Sequence, residues 1–118
     1  IRKDLNMRKG KIAAQAAHAS MAAILDQGSY SGDKFTLTMN PEVKAWLTGA
    51  FAKITVYVES ELELVTLYQK AKDAGLITSL ITDAGRTEFN GVPTKTAVAI
   101  GPGWVEDIDK ITGHLPLF

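Results

Sequence analysis

The chain is built from apolar stretches of two different periods. From Ile12 to about Gln27 nearly every position is small or apolar, and seven of the eleven residues from Ala13 to Ala23 are alanine, the strongest helix former. A helix of such small side chains can lie close against a sheet. Gly28, Ser29, Ser31, Gly32 and Asp33 predict a loop, and the alternation from Phe35 to Met39 predicts a short extended piece. Asn40 and Pro41 open a second helix as N-cap and first residue; it runs to about Thr48 and stops at Gly49. The β-branched and aromatic run Lys53–Val58 predicts a strand. Ser60 with Glu63 forms a capping box, and Leu64, Leu67, Tyr68 and Ala71 then recur at helical spacing until Gly75. Leu76–Thr82 and Thr94–Ile100 read as strands. Val105, Ile108 and Ile111 mark a last helix ended by Gly113, and Leu115–Phe118 is an apolar tail.

This order predicts an α/β fold over residues 1–118, a single-domain three-layer sandwich with helices on both faces of a sheet. The basic start, Ile1–Leu5, is expected to be the end of a further strand whose beginning is truncated at the N-terminus. Composition changes little: 118 residues with 46% hydrophobic and 22% charged suit one folded domain. The longest apolar stretch, Ile12–Leu25, is broken by Gln15, His18 and Ser20, so no membrane span is expected. The absence of cysteine excludes disulfides, thiol nucleophiles and cysteine-rich zinc sites.

Charge adds one feature. The net charge is zero, but residues 1–11 hold five basic groups and one acid, a balance of +4, against eight basic and twelve acidic groups elsewhere, −4. Arg8, Lys9 and Lys11 stand where the alanine-rich helix begins. Positive charge there opposes the helix dipole at a cost of a few tenths to ~1 kcal/mol, which makes sense if an anion completes the site; solvated side chains would explain it equally. Gly10 would let the backbone approach that anion. At ~100° per residue, Lys11, Gln15, His18 and Ala22 fall within about 60° of one another on an otherwise apolar helix. Gln15 and His18 are therefore either satisfied core residues or members of a site. Asp83 follows a strand directly, where α/β ligand sites gather; it can end the strand as an Asx-turn, pair with Arg86, or act on a substrate. Thr94 and Thr96 alternate and are expected on one face. No second histidine or carboxylate stands at metal-ligand spacing, so no metal and no cofactor are expected.

Four blocks in this order are Lys9-Gly-Lys-Ile-Ala-Ala-Gln-Ala-Ala-His-Ala19, Thr82-Asp-Ala-Gly-Arg-Thr87, Ala99-Ile-Gly-Pro102 and Asp109-Lys-Ile-Thr-Gly-His-Leu115. In order and spacing they resemble the type II peptidyl-tRNA hydrolases, over nearly the whole chain. The resemblance implies a mixed four-stranded sheet with helices on both faces, often in a homodimer, and a cytoplasmic enzyme. That enzyme cleaves the ester between a peptide, or an N-blocked amino acid, and the 3′ end of tRNA. It also implies catalytic roles for Lys11, Asp83, Thr87, Thr96 and His18, and contacts to tRNA from Arg8, Lys9, Gly10 and Arg86. The chain departs from the family at Asn6, over Gly28–Asn40, and in the loop Asn90–Pro93, which leaves Thr94 and Thr96 as alternatives for one role. With no Ser-His-Asp or Cys-His order, attack by a positioned water is expected rather than a covalent intermediate. A catalytically inactive module binding tRNA ends or a protein, and a hydrolase of smaller esters, are the other readings.

Overall fold

The computed structural model describes residues 1–118. Its elements are α1 (Lys9–Leu25), β1 (Gly28–Ser31), β2 (Lys34–Leu37), α2 (Pro41–Thr48), α3 (Glu61–Asp73), β3 (Thr78–Asp83), β4 (Thr94–Ile100) and α4 (Val105–Thr112). The helix boundaries follow their caps. Asn40 accepts from the Val43 N–H at 2.8 Å and Pro41 occupies the first turn, where its missing N–H costs nothing. The Ser60 hydroxyl accepts from the Glu63 N–H at 3.1 Å. The Glu63 carboxylate reaches back to the Glu59 N–H at 2.9 Å, one residue before the cap. Gly75 turns the chain out of α3 at φ +74°.

The layout that positions the site is a β3–β4 antiparallel pair with α1 and α3 packed against both strands. The two helices use opposite faces. Ser79 bonds Asp26 at the C-terminal end of α1, and Thr96 bonds Gln15 of α1. On the other face Leu80, Val98 and Ile100 pack against Val58, Leu64 and Leu67, joined by Ile111 and Leu115. A β-bulge breaks the register: Ile81 stands across from Ala97 but Thr82 across from Lys95, so Thr96 is an extra residue on β4. Strict alternation would put Thr96 beside Val98 and under α3. The bulge turns it to the α1 face instead; Thr94, across from Asp83, stands on that same face, as the alternation predicted.

Two expectations are corrected. Gly28–Ser31 is a strand rather than loop, paired with β2 about a two-residue turn at Gly32 and Asp33. Glycine at φ +61° suits the tight hairpin turn, and Tyr30 packs on Phe35 across the pair, ring centroids 5.1 Å apart. Lys53–Val58 forms no regular strand, and the mixed four-stranded sheet is replaced by two separate two-stranded sheets. The segment makes isolated bridges only, Val58 to Arg2 and Val56 to Leu117. The chain turns away at Asp4 after one bridge, held by three main-chain bonds among Ile1, Lys3, Val56 and Val58, and a single backbone bond crosses the other side of that start, Arg2 N–H to Thr96 C=O. No helix is long and apolar enough to cross a membrane.

Leu64 is fully buried at the centre of the α3-side core. Leu64→Ala should therefore lower the unfolding free energy by about 2–5 kcal/mol, read as a lower urea midpoint at unchanged slope; a loss below about 1 kcal/mol would remove Leu64 from the core.

Candidate active site

The site forms where α1 begins and β3 ends. Arg8 is the N-cap of α1 but gives no side-chain cap, and the first turn contains no acid. The first N–H groups of the helix thus lack a side-chain acceptor. Side chains on a helix lean toward its N-terminus, so Lys11 reaches back to the end of β3. There its Nζ donates to Asp83 Oδ1 at 2.9 Å and to Thr87 Oγ1 at 3.1 Å. Lys11 and Asp83 are each mostly withdrawn from water, with side-chain exposures of 14% and 15%.

One turn along α1, the buried Gln15 links two strands. Its Nε2 donates to Asp83 Oδ1 at 3.2 Å, and its Oε1 accepts from the Thr96 hydroxyl. Because an ionised carboxylate only accepts, the amide nitrogen must face Asp83; this fixes the amide orientation and makes Thr96 the donor on its other side. The second oxygen of Asp83 accepts from the Gly85 N–H at 2.9 Å. Gly85 holds φ +81°, and a Cβ there would collide with the Val92 carbonyl, so the turn that delivers this N–H requires glycine. The hydrogen bond from Lys11 is the largest influence on Asp83 and holds its pKa below the usual carboxylate value. Burial opposes that shift, and the Gly85 N–H, the Lys11 charge and Gln15 reinforce it.

The expected residues thus divide. Lys11, Asp83, Thr87 and Thr96 are drawn together by direct bonds or through Gln15. His18 is exposed and makes no hydrogen bond to them; it stands on the wall of a cleft of about 410 Å³ between α1 and residues 80–84, with Asp83 at one end. Thr94 bonds the Val92 carbonyl, away from this cluster. Arg86 is exposed and Asp83 pairs with Lys11 instead. Arg8 pairs with Glu88 at 2.9 Å, 81% of its side chain exposed. Lys9 makes no ion pair, and Gly10 lies in open space, so packing does not demand glycine there. Gln15, Gly85 and Glu88 were not assigned roles from sequence. A lone glutamine one turn after Lys11 was the available signal for the first; the others depend on long-range contacts. No three His, Asp or Glu side chains group as metal ligands.

Since the folded pKa of Asp83 is depressed, its contribution to stability is complete above the unfolded value of about 3.9 and is lost as pH falls through the lower folded value. Unfolding free energy measured from pH 7 to pH 2 should show this acid limb, and Asp83→Asn should diminish it. An identical limb in the variant would detach Asp83 from the ionic network.

Known proteins resemble the chain over its whole length. The family model described as "Peptidyl-tRNA hydrolase PTH2" matches residues 1–118. The peptidyl-tRNA hydrolase of Methanocaldococcus jannaschii is 48% identical over 118 residues, covering 99% of this chain and 94% of that protein. The probable peptidyl-tRNA hydrolase 2 of Drosophila melanogaster is 42% identical over 118 residues, covering 99% and 58%. The human mitochondrial peptidyl-tRNA hydrolase 2 is 41% identical over 119 residues, covering 100% and 61%. With its whole length matched and these relatives 41–48% identical, the chain belongs to the PTH2 family of peptidyl-tRNA hydrolases.

Proposed function

We propose that the cleft beside Asp83 is where water attacks the ester joining a peptide to the 3′ end of tRNA. Family membership makes this chain an ester hydrolase acting on peptidyl-tRNA; the assignment of residues to steps is our reading of the geometry. The observation that carries it is the Lys11 ammonium, bonded to both Asp83 and Thr87 at the cleft. An ammonium has three donors. Two are engaged, and the third is left for the oxygen on which charge develops as the ester carbonyl is attacked.

Asp83 is better suited to orient water than to deprotonate it. A general base works best with a pKa near the operating pH, whereas Asp83 is held low by Lys11 and the Gly85 N–H. We assign it the role of fixing Lys11 and aligning the water. Thr87 fixes Lys11 from the other side, and Thr96 acts through Gln15 to keep the carboxylate in place. His18 enters as the wall of the cleft opposite Asp83. Arg8, Lys9, Gly10 and Arg86 form the rim that meets tRNA phosphate, with the open first turn of α1. A module that only held tRNA ends would use that rim but would have no need of a carboxylate clamped to Lys11. The homodimer and the cytoplasmic setting also belong here. The former is supported by Ile54 and Leu117, 77% and 72% exposed on neighbouring bridged segments, and is checked by light scattering.

With N-acetyl-aminoacyl-tRNA as substrate, Asp83→Asn should nearly abolish release of the acyl group while circular dichroism stays unchanged. Lys11→Ala should lower kcat with a modest change in KM, whereas Arg8→Ala and Lys9→Ala should raise KM at constant kcat. The latter two should also flatten the salt dependence of binding by roughly 0.7 in log–log slope per lost phosphate contact. Full turnover in Asp83→Asn, or unchanged constants and slope in all three basic variants, would defeat these assignments. Hydrolysis should persist in EDTA, because no ligand cluster is available to a metal; loss on chelation with recovery on adding a divalent ion would refute that expectation.

A further inference from the structure

Strand β3 has one partner. It pairs with β4 on one side, and no strand lies on the other. The direction of its backbone groups follows from the ladder. Thr78 stands across from Ile100, so Ile77 stands across from Gly101, and the Gly101 N–H bonds the Ile77 carbonyl at 2.8 Å. A direct bond between facing residues marks a hydrogen-bonded pair, and such pairs alternate along antiparallel strands. Ser79 and Ile81 therefore turn their N–H and C=O groups toward β4. Thr78, Leu80 and Thr82 turn theirs outward. The bulge lies on β4 and does not disturb this alternation along β3.

The outward groups of Leu80 and Thr82 belong to the cleft. It is bounded by His18 and Ala22 of α1 and by Leu80, Ile81 and Thr82, and it ends at Asp83. An unpaired strand edge is a template for an extended peptide, and this edge leads to the carboxylate that clamps Lys11.

We infer that the outer edge of β3 binds the main chain of the substrate's peptide as an added parallel strand. This rests on the reading of Asp83 and Lys11 as the ester-cleaving centre. The peptide's C-terminal carbonyl must lie at that centre, at the C-terminal end of β3, so the peptide runs in the same direction as β3. In a parallel pairing one residue bonds the groups on either side of the residue it faces. The antepenultimate peptide residue, opposite Ile81, donates its N–H to the Leu80 carbonyl and accepts at its own carbonyl from the Thr82 N–H. The last residue donates its N–H to the Thr82 carbonyl. The penultimate residue turns its N–H away. Recognition through main-chain groups is indifferent to side chains.

The test uses the unsubstituted protein and N-acetyl-tripeptidyl-tRNAs that carry one N-methyl group, at the antepenultimate or the penultimate residue. N-methylation at the antepenultimate position should lower kcat/KM about tenfold, the scale of one or two lost hydrogen bonds. At the penultimate position the change should stay below about twofold. Equal losses at both positions, or no loss at either, overturn the edge-binding proposal. Asp83→Asn acting on the unmethylated tripeptidyl-tRNA is the control for the underlying reading: if it retains full turnover, the placement of the centre fails; if it is inactive and the alternation is absent in the unsubstituted protein, only the edge proposal does.

Discussion

The ion pair between Lys11 and Asp83 is the constraint around which the remainder of the structure is arranged. Both side chains are largely removed from water, where a charge without its partner is costly; breaking such a pair typically destabilises by about 3–5 kcal/mol. Every element near the pair reduces that cost. The Gly85 turn supplies an N–H, Gln15 supplies an amide donor, and Thr87 accepts from the ammonium. The β4 bulge at Thr96 belongs to the same system, since without it the hydroxyl that fixes Gln15 would lie on the α3 face of the sheet. A local irregularity in the ladder thus follows from the demand of one buried amide for two partners.

The same pairing sets what chemistry is available. A carboxylate satisfied by three donors is stable as an anion and correspondingly weak as a base. An ammonium fixed at two of its three positions is poised as an electrostatic catalyst that requires no reorganisation when charge develops. On the proposed reading, the catalytic burden falls on preorganised positive charge and on water alignment, not on proton abstraction by Asp83.

Much of the fold was legible from local chemistry. The Asn40-Pro41 start, the Ser60–Glu63 box, the Gly75 stop and the extent of β4 all depend on residues a few positions apart, and local propensity decides them. The misread segments are those decided at a distance. Lys53–Val58 has the composition of a strand, but a strand exists only through its partners, and here those offer one bridge each. Gly28–Leu37 has the composition of a loop, yet one two-residue turn and one aromatic pair suffice to make it a hairpin. In the site, Lys11, Asp83 and Thr87 stood out by motif. The bond between Lys11 and Asp83 joins residues 72 positions apart, and Arg86, three residues from Asp83, was the nearer but mistaken candidate. The bond from Thr96 to Gln15 depends on a bulge that no alternation pattern reveals.

The charge asymmetry also changes meaning once the chain is folded. Of the five basic groups in residues 1–11, Arg2 pairs with Asp4, Arg8 with Glu88 and Lys11 with Asp83, while Lys3 lies over the Tyr57 ring at 4.2 Å. Two of the three acids come from the end of β3 and the loop after it, which return negative charge to the start of α1. Five cations less three anions leave +2, half the balance read from residues 1–11 alone. The attraction for a polyanion is correspondingly local. It comes from Lys9, from the solvent-facing guanidinium of Arg8, and from the uncapped first turn of α1, all on one side of the Lys11–Asp83 pair. A surface so limited would hold a short stretch of phosphate next to the reacting ester and would give little grip on the body of a long nucleic acid. On the proposed reading, selection for the substrate falls on the junction of phosphate, ester and peptide, where the helix start, the ion pair and the edge of β3 adjoin.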